Sequence, residues 1–390
     1  MKRLTIFAAA LFAATALHAQ DVESVLAQIE HNNKNLEALR RESEAAKLEV
    51  RTQNNLEDPS VEYSPFFAHG ADGIASSELV VSQGFDFPTL YAARHKSNRL
   101  QQEGIDSRYG VARRDVLLEA QLLCFEAIRL DRERQLLERR MENADEMLSL
   151  FEQRLEQGDA TALEVNKIRM ERMNAAAELS RNATARTTVA ESLRAMNGDK
   201  SVSLEGAGYP VMPSIGSFDE FREKMMADEL ELQVSLSDER TAAQQVKVNA
   251  QNWLPKLEVG YRRNTDLDEA VNGFLVGASF PIFSSRHKSG AAKARYAASQ
   301  LRTEDVKAQT EARIRSLYNS VEQSAATMRT YDLQLMRSTL DLLRRAVESG
   351  ELSVIEYYVE ADGIYSNMLS YVTIENTYYC TLAQIFRNDL

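Results

Sequence analysis

Leu155-Glu156-Gln157-Gly158-Asp159-Ala160-Thr161-Ala162-Leu163-Glu164 is written a second time as Val347-Glu348-Ser349-Gly350-Glu351-Leu352-Ser353-Val354-Ile355-Glu356. Apart from Gln157/Ser349 and Ala160/Leu352, every position is identical or similar in size or polarity. Working outward, Phe87-Pro88 followed by Arg94-His95-Lys96-Ser97 is echoed by Phe280-Pro281 followed by Arg286-His287-Lys288-Ser289. Asp58-Pro59-Ser60-Val61-Glu62-Tyr63 is echoed by Leu254-Pro255-Lys256-Leu257-Glu258-Val259. The echoes keep one order in both halves, the Gly turns and the Arg-His-Lys runs both 192 residues apart. A duplicated unit of that length implies one architecture built from two similar halves.

Each half repeats helix, two strands, long helix, Gly-marked turn, helix. Residues 22–56 read as the first helix, and 60–67 and 77–87 alternate like strands. Leu79, Val81, Phe85 and Phe87 point one way, and Glu78, Ser82, Gly84 and Asp86 the other. In the second half Leu257, Val259 and Tyr261 oppose Lys256, Glu258, Gly260 and Arg262. Phe274, Val276, Ala278, Phe280 and Ile282 continue that pattern. His69 to Gly73, and Asn264-Thr265-Asp266 through Asn272-Gly273, read as hairpin loops. Pro59 and Pro255 stop helices, and Pro88 and Pro281 stop strands. Pro65 predicts a strand that pairs weakly there or ends early.

The helix after the first hairpin runs from Ser97 to Gln157 without a Pro, interrupted only by Gly104 and Gly110. Val116, Leu123, Leu130, Leu137, Ala144 and Phe151 recur every seven residues. A second row holds Ala120, Ala127, Met141, Leu148 and Leu155, broken at Arg134. Ile314, Val321, Met328, Leu335 and Leu342 repeat the step in the second half. These heptads predict coiled-coil packing of helices near 90 Å long, at about 1.5 Å per residue. The domain reading is therefore a first repeat over 20–197 with its hairpin at 60–87, a Gly- and Pro-rich linker over 198–217, and a second repeat over 218–390 with its hairpin at 256–283.

Residues 1–19 read as a signal peptide: Lys2 and Arg3, an apolar run from Leu4 to Leu17, then a cut near Ala19-Gln20. Removing Lys2 and Arg3 from the 46 basic residues leaves 44 against 58 acidic, a mature charge of −14. That balance excludes nucleic acid as a partner, because its binding requires phosphates to be neutralised. No later window is long and apolar enough for a membrane helix, so membrane entry requires a β-barrel. Four strands cannot close one alone, whereas three copies supply twelve. Cys124 and Cys380 have neither disulfide-framework nor metal-site spacing and read as buried free thiols. His31, His69, His95 and His287 are scattered; the Arg-His-Lys runs read as a basic collar near lipid headgroups. Tyr357, Tyr358, Tyr365 and Tyr371 read as packing residues. No catalytic constellation is present, so an enzyme is not expected.

The doubled, ordered set resembles the TolC-like outer-membrane efflux proteins, the outer components of tripartite pumps. The likeness spans essentially the whole mature chain. It is carried by the duplicated unit, the Pro59/Pro88 and Pro255/Pro281 brackets, and the Gly158 and Gly350 turns followed by Thr161 and Ser353. The run Asp58 to Tyr63, with Phe85-Asp86-Phe87-Pro88-Thr89, looks most like the heavy-metal cation efflux branch. The resemblance implies a mainly α, α+β chain with long antiparallel coiled-coil helices and two β-hairpins. It further implies a homotrimer with a shared twelve-stranded outer-membrane barrel above a periplasmic helical barrel. A periplasmic adaptor and an inner-membrane transporter would be its partners, with no cofactor and no metal site. Gly158, Thr161, Gly350 and Ser353 match the periplasmic tip where adaptor hairpins dock; a plain helix-ending role for the glycines is the alternative. Glu356 falls where the family often carries a carboxylate facing the pore constriction, although a usual second acid is here Val359. Its counterpart Glu164 leaves open a simpler role at a helix N-terminus. The competing function is a periplasmic coiled-coil adaptor or scaffold without a pore.

Overall fold

The computed structural model describes residues 21–390 except 68, 70–72, 267, 268 and 285; the signal-peptide segment 1–19 lies outside the described residues. The described elements are α1 (Val22–Asn32), α2 (Lys34–Thr52), β1 (Ser60–Phe66), β2 (Ser76–Phe85), α3 (Pro88–Gln157), α4 (Ala162–Met196), α5 (Phe218–Asp228), α6 (Leu230–Ala250), β3 (Lys256–Asp266), β4 (Ala270–Ser279), α7 (Lys288–Met328), α8 (Leu333–Glu348) and α9 (Val354–Ile385), with a short 3₁₀ turn at Phe386–Asp389. This is the expected mainly helical α+β fold with one four-stranded antiparallel sheet. The chain forms two compact units that do not follow the linker at 198–217, since each draws on both halves.

One unit takes the chain up to Asn33, Leu117–Pro213 and Ser320–Ala383. Here α3 runs antiparallel to α4, with Arg172 paired to Asp145, Arg140 to Glu171, and Asn182 Nδ2 donating to Leu130 O at 3.0 Å. It also runs antiparallel to α9, through Asn143–Tyr357 and Arg132–Glu375. The row Leu130, Leu137, Ala144 and Phe151 is buried as predicted. The second predicted row starts with a buried Ala120 and a half-buried Ala127 but is displaced past Arg134: Met141 and Leu148 are half-buried and Leu155 is exposed, and Arg140 and Met147 take the inside places. Spacing of 137, 140, 144, 147 and 151 is the alternating three-four step of a coiled-coil seam. The pattern also fails after Val321. The chain leaves the helix between Met328 and Leu333, with Asp332 capping α8 through Leu335 N at 2.9 Å. The rotation gained across that break leaves Leu335 and Leu342 61% and 63% exposed and buries Val347 instead.

The linker is part of the core as far as Pro213. Leu204 is buried, and Tyr209 stacks on Tyr379 at 4.2 Å and meets Phe125 edge-on at 5.4 Å. Cys124 and Cys380 are free thiols in this cluster, the first buried and the second half-buried. Burial pushes Cys124 up to about 12 and Cys380 up to about 11, so neither is a ready nucleophile.

The other unit takes Lys34–Val116, Ser214–Asn319 and Gln384–Leu390. Its sheet has the order β1-β2-β3-β4, with β1 and β4 as open edges. Side chains directly opposite in register share a face. Val61, Val81, Tyr261 and Phe274 form one row, flanked by Gln83-Val259-Val276 and then Phe85-Leu257-Ala278. The opposite face carries Ser60 and Ser82, hydroxyls 2.8 Å apart, and an ion pair of Glu78 with Arg262. Pro65 does not end its strand: it pairs opposite Ser77, and β1 is an edge strand, where a missing N–H is tolerated. Asn264–Asp266, Asn272 and Gly273, expected in a loop, lie in the strands. Pro88 opens α3 rather than merely closing the strand, because its fixed φ suits a first helical position.

The predicted 22–56 helix breaks at Asn33, and the equivalent helix of the second half breaks at Glu229, 196 residues later. Both residues are extended, with ψ of 116° and 110°. Glu229 is buried among Arg114, Arg313 and Arg387. Gly104 interrupts nothing; a Cβ there would lie 3.3 Å from Ser237 Oγ, so the Gly serves the packing of α6 on α3.

Candidate functional site

The two marked turns lie side by side in the first unit. α3 ends at Gln157, and Gly158 follows with φ +85°. Gly158 N donates to Leu155 O at 3.2 Å and Asp159 N to Arg154 O at 2.8 Å. At the end of α8, Gly350 has φ +81°, with Gly350 N to Val347 O at 3.1 Å and Glu351 N to Ala346 O at 2.8 Å. This is the helix-ending motif in which a left-handed residue lets the last carbonyls find donors. A Cβ on either Gly would meet nothing within 4 Å, so the backbone conformation, not close approach within this chain, selects glycine. Arg154 of the first turn donates to Glu348 O at 2.6 Å, placing a cation on the carbonyl end of α8.

Three residues past each Gly the next helix is capped in the same way. Thr161 Oγ1 accepts from Glu164 N at 3.2 Å, and the Glu164 carboxylate accepts from Thr161 N at 2.7 Å. Ser353 Oγ accepts from Glu356 N at 3.2 Å, while the Glu356 carboxylate accepts from Ser353 N at 3.2 Å and from its hydroxyl at 2.7 Å. These reciprocal bonds form a capping box. The hydroxyl and backbone N–H of Ser353 hold the Glu356 carboxyl below its ordinary range. Glu356 is exposed in the single chain, as is Val359.

Behind the turns lies a cluster of Met147, Phe151, Val165, Ile168, Val347, Val354, Tyr357, Tyr358, Ala361 and Tyr365. Three of the four expected packing tyrosines are therefore core residues, and burial raises the hydroxyl pKa of each. Tyr371 is half-buried against Tyr331. Next to this cluster is a charge cluster that the heptad reading missed. Arg140 is buried on α3, bonded to Glu171 Oε1 through Nε at 2.8 Å and to Asp362 Oδ1 at 2.9 Å, with Tyr365 below it at 5.6 Å. A charged residue one place from an apolar heptad position was its only signal in the sequence. Among the described residues, no group of three or more His, Cys, Asp or Glu side chains could hold a metal ion. No described helix is long and apolar enough to cross a membrane.

No family model matches the chain, and no curated protein does. Solved structures do. The outer membrane protein VceC of Vibrio cholerae matches with TM-score 0.75 at 12% identity, covering 93% of this chain and 95% of its own. The chain has the fold of bacterial outer-membrane channels. The CmeC outer membrane channel of Campylobacter jejuni matches with TM-score 0.73 at 13% identity, over 95% of this chain and 85% of its own. The MtrE outer membrane channel of Neisseria gonorrhoeae, in its open state, matches with TM-score 0.61 at 12% identity, over 94% and 88%. Within this channel fold, the duplicated sequence windows account for the paired turns at Gly158 and Gly350.

Proposed function

We propose that this chain is the outer-membrane channel of a tripartite efflux system, a passive duct coupled to an inner-membrane pump through a periplasmic adaptor. The observation that carries this reading is the sheet. It bares one apolar face, with Phe274 92% and Val276 83% exposed, and the outer edges of β1 and β4 have no strand partner among the described residues. From the row of Tyr63 and Leu79, which ends in Arg263 and Asn272, down to that of Phe85 and Leu257 the face spans about 20 Å at ~3.3 Å per residue. Phe280, just past the end of β4, adds an exposed apolar side chain at the lower end, toward the roughly 25 Å band of outer-membrane barrels. Joining β1 of one copy to β4 of the next closes the edges, and three copies make twelve strands. A pore-less coiled-coil adaptor would have no use for such a face.

On this reading the chain is an internal duplication, 20–197 and 218–390, joined by 198–217. The turns with Gly158, Thr161, Gly350 and Ser353 form the tip that meets the adaptor, and Glu356 of three copies forms an acidic ring at the constriction. Export of heavy-metal cations rests on the Asp58 to Tyr63 and Phe85 to Thr89 runs. Membrane fractionation tests the core of the proposal: a urea-resistant trimer in the outer-membrane fraction supports it, and a soluble monomer in a periplasmic extract refutes barrel and pore together.

A further inference from the structure

The exits of the two hairpins are copies in sequence but differ in chemistry. After β2, Asp86 is buried and accepts from Arg94 at 2.5 Å, and Lys256 reaches Glu57 and, at 4.0 Å, Asp86. Phe87 is half-buried, Leu90 is buried, and α3 begins at once. At the first exit Arg94 and Lys256 are thus neutralised by its own acids, and Lys96 is left exposed beside a half-buried Phe87 and a buried Leu90. After β4, the position equivalent to Asp86 is Ser279, and the acid is gone. Phe280, Ile282 and Phe283 stand 64%, 74% and 88% exposed. Arg286 and Lys288 are exposed, and neither side chain has an ion-pair or hydrogen-bond partner among the described residues. Trp253, the single tryptophan, leaves the same end of the sheet, three residues before Lys256, which pairs with Ser279. It too is 68% exposed.

We propose that Trp253, Phe280, Ile282, Phe283, Arg286 and Lys288 form an interfacial anchor for an anionic phospholipid leaflet, a role confined to the second-half exit. The apolar groups lie just beyond the start of β3 and the end of β4, and so reach the boundary between acyl chains and headgroups. A tryptophan beside them suits that boundary, where an indole has both an apolar body and a donor. The two unpaired cations face the phosphates just outside it, each favouring an anionic over a zwitterionic headgroup by roughly fivefold at most. The surrounding protein is acidic overall, with a net charge of −12, so this small basic patch depends on local placement. The inference rests on the barrel reading.

The test uses the full-length protein reconstituted into vesicles, with Trp253 emission as the reporter. Brominated phosphatidylglycerol in unlabelled phosphatidylcholine is compared with the reverse mixture. Quenching by bromines close to the glycerol backbone is expected, with phosphatidylglycerol effective at a several-fold lower mole fraction. Arg286→Gln with Lys288→Gln should bring the two lipids to parity, and Lys96→Gln at the first exit should not. Equal quenching by both lipids in the unaltered protein overturns the headgroup preference. Protein that resists urea extraction but shows no quenching of Trp253 overturns the anchor and leaves the barrel standing. The same result with a trimer that dissociates on Phe283→Asp assigns the patch to a neighbouring copy, also against the proposal. Protein washed off the vesicles by urea removes barrel and anchor together.

Discussion

Gly158 and Gly350 are required by their own backbones before any partner is considered. Each sits near φ +80°, where an L side chain costs about 1–2 kcal/mol. Gly350→Val should therefore cost about that much, read as a shift in thermal melting, and leave the proposed trimer assembled. If the turn also meets an adaptor, cross-linking to that adaptor should fall well beyond what the lost stability explains. A trimer that falls apart instead would confine the glycine to ending its helix. Glu356 permits a cleaner separation. Its two jobs, capping and charge, come apart on Glu356→Gln, because a glutamine oxygen still accepts from Ser353. Stability should barely move, as is typical of an exposed substitution that keeps its cap. If three copies of Glu356 ring a pore, single-channel recordings should nevertheless lose cation preference and block by multivalent cations, with Glu164→Gln as the control. Equal effects from the two variants would mean general surface charge, and no effect would place Glu356 away from the pore. The sequence reading offered a helix N-terminus role for this pair of glutamates, and the reciprocal bonds of Ser353 and Glu356 give it its form. Whether the carboxylate faces an axis depends on neighbouring copies, which one sequence does not position.

Among the elements, the strands were legible because their period of two matches the register, although the apolar face is the bared one, and the first heptad row because from Leu130 to Phe151 period and burial agree. What the sequence hid are the breaks. Asn33 and Glu229 interrupt helices without Gly or Pro, and the chain turns there because buried side chains take up bonds that a straight helix would not allow. Asn33 Nδ2 donates to Met196 O at 2.9 Å, while Glu229 enters the arginine cluster. Arg140 was hidden for a related reason: a buried arginine makes sense only with Glu171 and Asp362 in place, and they come from two other helices. Arg140→Ala should destabilise the helical unit by roughly 3–5 kcal/mol, since it strands a buried Glu171. Far-UV circular dichroism on heating checks this, and a loss below 1 kcal/mol would show the network to be ornamental. The second cluster has a pH signature. Burial favours the protonated form of Glu231, but hydrogen bonds from Arg114 and Arg387 win and bring it down to about 2 from an ordinary 4.5. A depressed carboxyl contributes stability above its unfolded value and loses it as pH falls. The contribution should thus be complete above about pH 4.5 and vanish toward pH 2, and Glu231→Gln should flatten that part of the acid melting curve. An unchanged curve would mean the pair is screened by water, as its partial exposure allows.

For the whole molecule the decisive quantity is which solvent each face of the sheet meets. Register puts Phe274 in a row with Val61, Val81 and Tyr261, and puts its neighbour Leu275 on the opposite face with Ser60, Ser82 and Gly260. If the first face meets lipid, an arginine at position 274 must carry its charge into hydrocarbon, at about 2–4 kcal/mol near the midplane of a barrel. In a trimer that penalty is incurred three times around one barrel. Phe274→Arg should then abolish urea-resistant trimers in the outer-membrane fraction. Leu275→Arg adds the same charge to the same edge strand but directs it to the water-filled side, where the polar face already holds Arg262 and Glu78. It should assemble normally and alter only conductance. The pair discriminates because composition, strand propensity and distance from the edge are almost the same in both variants, so any difference reports the face alone. Should both variants assemble equally well, the apolar face is not in lipid; should both fail, β4 is intolerant of charge as an interface strand whichever way its side chains point.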